Sequence, residues 1–199
     1  MLKTSPRTGL EPKAEILALL SENRVMCVAT LRPDGWPQAT MVGYVHDDLT
    51  LYFVVARISQ KLANVAREPR ISIALGHDRP DRLRGLSMAA RAAEVTELAE
   101  IDHLNALVLE SYPGQVMFSP RETSTAVLRA TPEVISVIDL PKGPGEPELV
   151  RVNDETSVSR IPNAATFGWS GRAREPAGAS VGVQYTHARQ GEYRPGAPL

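Results

Sequence analysis

Between residues 25 and 76 four apolar, β-branched-rich runs follow one another: Val25 to Leu31, Gln38 to His46, Leu49 to Val55 and Arg70 to Gly76, each closed off by turn-forming residues. No other stretch limits the possible folds so strongly, because runs of this length and composition are strands. Arg32-Pro33-Asp34-Gly35 sets Pro and Gly for a tight turn and His46-Asp47-Asp48 is a short polar link. The first three runs are therefore expected to form an antiparallel meander. Ser59 to Glu68 separates the third run from the fourth; Leu62, Val65 and Ala66 fall on one helical face, and Pro69 stops the helix.

The flanking segments extend this pattern. Pro12 through Asn23 places Pro at the first helical position and Ile16, Leu17, Leu19 and Leu20 on an apolar face, which predicts a short amphipathic helix. After a polar, arginine-rich loop from His77 to Gly85, Leu86 to Val95 reads as a fifth strand. Leu98 to Tyr112 reads as a helix, with Ile101, Leu104, Leu107 and Val108 at helical spacing and Pro113-Gly114 at its end. Ala126 to Ala130 and Val134 to Leu140 are a last pair of strand-like runs around Thr131-Pro132-Glu133. Antiparallel strands with helices inserted rather than alternating predict a mainly β protein, a closed or partly closed barrel decorated by helices. From residue 156 onward, six Gly and four Pro in 44 residues leave only scattered aliphatic side chains, too few for a core. The folded unit expected is 1–150, with 151–199 a Gly/Pro-rich tail, disordered or packed on a partner subunit.

Composition narrows the function. Lys plus Arg number 22 against 23 Asp plus Glu, so the chain lacks the basic field that non-specific nucleic-acid or anionic-membrane binding requires. Purely apolar stretches such as Ile16 to Leu20 and Tyr52 to Ala56 fall far short of the ~20 residues of a spanning helix. The first twelve residues contain no apolar leader core, and one cysteine forms no internal disulfide, so a bacterial-type cytoplasm is the expected location.

The strongest local sign of chemistry is Ala56-Arg57-Ile58-Ser59-Gln60-Lys61, at the end of the third run. Ser59 can cap the helix that follows, whose free N–H groups and positive dipole end favour an anion, and Arg57 and Lys61 add two positive charges. A phosphate would sit well there. A simple helix cap with two solvated cations explains the same residues.

The stretch from Val25 to Gly76 resembles the pyridoxamine 5'-phosphate oxidase-like superfamily of flavin-binding split barrels. The likeness is carried by VATL ending the first run, the turn PDG, Trp36-Pro37 opening the second, LYFVV as the third, the S-x-K at the helix start, KLAN, and EPRISIAL as the fourth. RAAEVTE (Arg91 to Glu97) and VLRATPEVISVIDL (Val127 to Leu140) continue it to about residue 150. The resemblance implies a homodimer of six-stranded antiparallel split barrels with FMN in two equivalent clefts at the interface. It implies that Arg57, Ser59, Gln60 and Lys61 hold the phosphate. The isoalloxazine ring would lie along Gln38 to Val42, with backbone groups of Thr40, Met41 and Val42 at its polar edge, and Arg84 and Ser87 would approach from the cleft wall.

Two departures bear on that inference. Val55 stands six residues before the lysine, where relatives often carry Thr or Ser; the missing hydrogen bond to a charged acceptor is worth about 0.5 to 3 kcal/mol. The chain ends EYRPGAPL rather than in the Arg-Leu-x-Pro of authentic pyridoxamine phosphate oxidases, so pyridoxal phosphate synthesis is not expected.

Other groups carry less. Histidines 46, 77, 103 and 187 stand at no ligand spacing to a second His or Cys, and no metal site is expected. Cys27, inside the apolar first run, reads as a small buried hydrophobe. Arg79, Arg82 and Arg84 alternate with Asp78 and Asp81, as a solvated loop does, or as a grip on a nucleotide tail or an anionic substrate would. No G-x-G-x-x-G, P-loop or G-x-S-x-G pattern occurs. The function expected is an FMN-dependent oxidoreductase acting on a small molecule, with the flavin carrying the redox chemistry and no side chain obliged to act as acid or base. The alternatives are a deazaflavin-dependent reductase, haem handling within the same superfamily, or a non-enzymatic flavin-binding stress or sensor protein.

Overall fold

Pro12 starts the first helix, α1 (Pro12–Glu22), in the computed structural model, which describes residues 11–79, 82–111, 124–139, 148–154 and 157–161. For residues 77–79, 82, 83, 111 and 139 the structure describes the backbone alone. All lie within one of the chain's two units, Met1–Phe167. Along α1, Ile16, Leu19 and Leu20 are at most 1% exposed, and burial of each contributes about 1.5–3 kcal/mol. Asn23 caps the end by donating from Nδ2 to the Leu19 carbonyl at 2.7 Å.

The strands are β1 (Val25–Leu31), β2 (Pro37–Gly43), β3 (Val45–Asp47), β4 (Thr50–Ala56), β5 (Arg70–Arg79), β6 (Arg82–Glu94), β7 (Thr125–Asp139), β8 (Glu148–Val152) and β9 (Val158–Arg160). Helix α2 (Gln60–Arg67) lies between β4 and β5, and α3 (Leu98–Ser111) follows β6. All nine strands join one antiparallel sheet in the order β2-β1-β5-β6-β7-β4-β3, with β8 on β7 and β9 on β8.

This corrects the expected six-stranded barrel in three respects. First, the sheet has nine strands and is not closed. The two ends of its main path, β2 and β3, are successive parts of one sequence run, broken at Tyr44, whose hydroxyl donates to the Leu20 carbonyl at 2.8 Å. The meander is interrupted at the same point: β2 pairs with β1, β3 pairs with β4, and β4 pairs on its other side with β7. The β3–β4 turn passes through Asp48, with φ 49°.

Second, the supposed loop from His77 to Gly85 is largely the tip of the β5–β6 hairpin, paired out to Arg79↔Arg82. Charge alternation concealed it, but Gly76 pairs with Gly85 across the strands, and a Cβ on Gly85 would stand 2.7 Å from the Leu75 carbonyl oxygen. Third, the two runs around Thr131-Pro132-Glu133 are one strand. Ala89 faces Val134 and Ala90 faces Pro132, so Glu133 is the extra residue of a bulge, where a proline is tolerated within a sheet.

Residue 150 falls within β8, and β9 continues the pairing to Arg160, whose guanidinium bonds Glu148. The tail beyond residue 161, Pro113-Gly114, Leu140, Pro80 and Asp81 lie outside the described residues. The main core unites α1 with the inward faces of β1, β4, β5, β6 and β7, including Met26, Phe53, Ile73, Met88 and Leu128. A second cluster seats α3 through Ile101, Leu104 and Val108 on Val45, Tyr52 and Val127.

Candidate functional site

Helix α2 begins as its sequence predicts. The Ser59 side chain accepts from the Leu62 N–H at 3.3 Å, so this hydroxyl acts as the cap. The buried face of α2, however, is Lys61, Asn64 and Val65; Leu62 is half-buried and Ala66 exposed, which corrects the apolar face read from the sequence. A polar residue is buried there because its hydrogen bonds are met. Asn64, with 0% exposure, donates from Nδ2 to Thr30 Oγ1 at 3.0 Å and to Gln38 Oε1 at 3.2 Å, and its oxygen accepts from Gln60 Nε2 at 2.9 Å. One side chain thus joins the first turn of α2 to β1 and β2.

Two further contacts set the direction of α2. Arg67 Nη2 donates to the carbonyls of Leu31 and Arg32 at 3.1 and 2.8 Å, at the end of β1. One turn earlier, Asn64 is level with Thr30 and its cross-strand partner Gln38. Another turn back along a helix rising about 1.5 Å per residue, Lys61 reaches the level of Val28 and its partner Thr40. Lys61 is 9% exposed and makes no hydrogen bond or ion pair among the described residues. Burial holds its ammonium below the ordinary lysine pKa, with the Cys27 sulfur pulling the other way. The Thr40 hydroxyl is buried and likewise has no partner among the described residues.

Strand β2 ends the sheet path, so its outer backbone edge has no strand partner among the described residues. Gln38, Thr40 and Val42 turn half-buried to one face, and Met41 stands 66% exposed on the other. Lys61, Thr40, the Gln38 amide, the α2 N-terminus and the β2 edge therefore collect hydrogen-bond donors in one region, the chemistry that receives an anion and an acceptor-rich ring.

The remaining predicted residues go elsewhere. Arg57 donates to Glu94 Oε1 at 2.8 Å and to the Thr125 carbonyl at 3.2 Å. With Glu94 it lines a cavity of about 490 Å³ between α2 and β6, on the Leu62–Ala63–Ala66 side of the helix rather than the Lys61 side. Arg84 is buried, its guanidinium 3.4 Å from Glu15 and 3.6 Å from Glu22, and so binds α1. Ser87 is exposed on β6, paired with Ala74, which in turn pairs with Cys27. Gln60 is exposed but bound to Asn64. Cys27 is half-buried, on the face of β1 opposite Met26 and Val28. Val55 is 6% exposed, within the main core.

Asn64 and Thr30 are the residues that sequence reasoning missed. The available signal was the interruption of the apolar stripe: Asn64 lies three residues after Lys61, beside Val65, where a helix buried purely by hydrophobicity would carry an aliphatic residue.

The sequence model of one family, pyridoxamine 5'-phosphate oxidase, matches residues 12–139. Among solved structures, a conserved hypothetical protein from Mycobacterium tuberculosis is 27% identical, with 68% of this chain and 90% of that one covered and a TM-score of 0.57. A pyridoxamine 5'-phosphate oxidase-related, FMN binding protein from Nostoc punctiforme is 19% identical, covering 78% of this chain and 99% of that one, with a TM-score of 0.55. A heme binding protein from Mycobacterium smegmatis is 20% identical, covering 72% and 60%, with a TM-score of 0.60. The last two share the fold. No curated protein matches the chain. No helix among the described residues is long and apolar enough to cross a membrane.

Proposed function

Because the chain belongs to the pyridoxamine 5'-phosphate oxidase family, we propose that it is an FMN-dependent oxidoreductase that holds the cofactor between α2 and the free edge of β2. The observation that carries this reading is Lys61, nine-tenths buried without an anion beside it. Its ammonium is not among the fully buried unpartnered atoms, so it opens toward solvent at this spot, where a bound phosphate would give it a charge-assisted partner. The orphaned Thr40 hydroxyl fits the same demand. Lys61 and the first turn of α2 hold the phosphate, while the side chain of Gln38 and the backbone edge at Thr40, Met41 and Val42 orient the ring. Bound flavin supplies two-electron transfer at its ring, and the protein's part is binding, orientation and exclusion of water. Arg57, on the other side of α2, is engaged by Glu94.

The cleft is completed by a second copy. The outward faces of β2, β1, β5 and β6 carry a flat surface of small side chains, with Ala39, Ser72, Ala74 and Ala89 exposed and Met41 among them, suited to a close partner.

The deciding experiment is mass spectrometry of the small molecule released on denaturing the purified protein, with FMN titration and sedimentation of the same sample. FMN at one per chain in a dimer supports the proposal. A deazaflavin in its place shifts it to a deazaflavin-dependent reductase, and haem to the role named for the Mycobacterium smegmatis protein. Flavin that neither NADH nor NADPH reduces and air does not reoxidise points to a binding protein instead. Lys61→Ala is expected to weaken FMN at least tenfold, on the order of 1.4 kcal/mol.

A further inference from the structure

We infer that Asn64 is a positioning residue: it fixes the side-chain amide of Gln38 with its N–H end turned toward the bound ligand. The inference rests on the reading above that Gln38 faces the ligand, and adds which way round its amide is held and what sets it.

Counting donors and acceptors gives the orientation. Asn64 has two amide protons, and both are spent, on Thr30 Oγ1 and on Gln38 Oε1. Its oxygen accepts from Gln60 Nε2, so turning the Asn64 amide would require Gln60 and Gln38 to turn with it. Gln38 therefore meets Asn64 through its oxygen, and Nε2, which makes no bond among the described residues, is the end left for a ligand. Asn64 itself is fully buried and touches no ligand; it acts through Gln38. The group that Gln38 receives must then be a hydrogen-bond acceptor, such as a ring carbonyl or an unprotonated ring nitrogen. Lys61 and Thr40 lie along the same strip, so the whole strip selects for acceptors.

A double-mutant cycle on the full chain tests this. Asn64→Leu, close in size and uncharged, is expected to weaken FMN about tenfold and to shift the absorption bands of the bound flavin. Gln38→Leu is expected to do the same, and Asn64→Leu made in that background to cause no further loss. A tenfold loss that repeats undiminished in the Gln38→Leu background would mean that Asn64 serves the fold alone, and the inference would be wrong. The unaltered protein supplies a second measurement, independent of whether Asn64→Leu folds: the nitrogen-labelled side-chain NH2 signals of Gln38 should move on adding FMN. Tight FMN binding with those signals unmoved overturns the inference and leaves the proposed function standing. Failure of the unaltered chain to bind FMN overturns both.

Discussion

The guanidinium of Arg84 lies 3.4 Å from the carboxylate of Glu15, joining β6 to α1 with the two side chains 10% and 7% exposed. Removing one partner of a buried pair takes away much of what compensates the other charge, at a cost of up to about 3–5 kcal/mol. Arg84→Met is therefore expected to lower the free energy of urea unfolding by about 3 kcal/mol, and Arg84→Met with Glu15→Leu to recover most of the loss. A single-variant loss well under 1 kcal/mol would mean that water reaches the pair.

Lys61 is expected to oppose folding when no ligand is bound. Its pKa in the folded chain is depressed by burial, so the unfolded chain holds the proton more tightly. Stability of the ligand-free protein should accordingly rise with pH from that depressed value up to the ordinary 10.5. Lys61→Met should raise the thermal midpoint of the ligand-free protein and remove this slope. With excess FMN the order should reverse, because the lysine form gains more binding free energy than the variant. A variant less stable than the parent under both conditions would contradict the assignment.

Tyr52 titrates in the opposite sense. Burial first, and then the Glu100 carboxylate 3.2 Å from its hydroxyl, push its pKa from 10.0 up to about 12. The folded state thus holds this proton more tightly, and the stabilisation is complete below pH 10.0 and lost as pH rises through about 12. Unfolding followed across that interval should show the decline in the parent and a shallower one in Tyr52→Phe. An unchanged slope in the variant would place the titration on another group.

The Gly76–Gly85 pair should tolerate no side chain. A Cβ at position 76 would come 2.5 Å from the Arg84 carbonyl oxygen, and both atoms belong to paired strands. Gly76→Ala is expected to cost of order 1–3 kcal/mol in chemical denaturation, by forced displacement of the hairpin. An equally stable variant would show that the hairpin gives way freely.

The strands of the first half were legible because their period and turn residues are local. Val25–Leu31 and the helix capped by Ser59 lie where the pattern puts them. What stayed hidden depends on pairing. Tyr44 looks like any strand residue until β3 turns to β4, and Pro132 looks like a terminator until the bulge at Glu133 accommodates it. At the candidate site, the charge of Lys61 and its place at the start of α2 were legible in the sequence. The burial of Lys61 and the role of Asn64 were not, because both depend on which face of α2 meets Thr30 and Gln38. Arg84 was misread because sequence supplies its charge but not the carboxylates of α1 that claim it.

The break at Tyr44 makes one short segment supply both ends of the sheet's main run of strands. Side-chain direction alternates residue by residue along a strand, so one added or deleted residue at this junction would invert the facing of β2 relative to β3. Either Gln38 and Thr40 would leave the ligand's side, or Val45 would leave the cluster that seats α3. A place that looks like a harmless connector is thus among the least able to absorb an insertion, and changes of length accumulating in proteins built on this plan should avoid it.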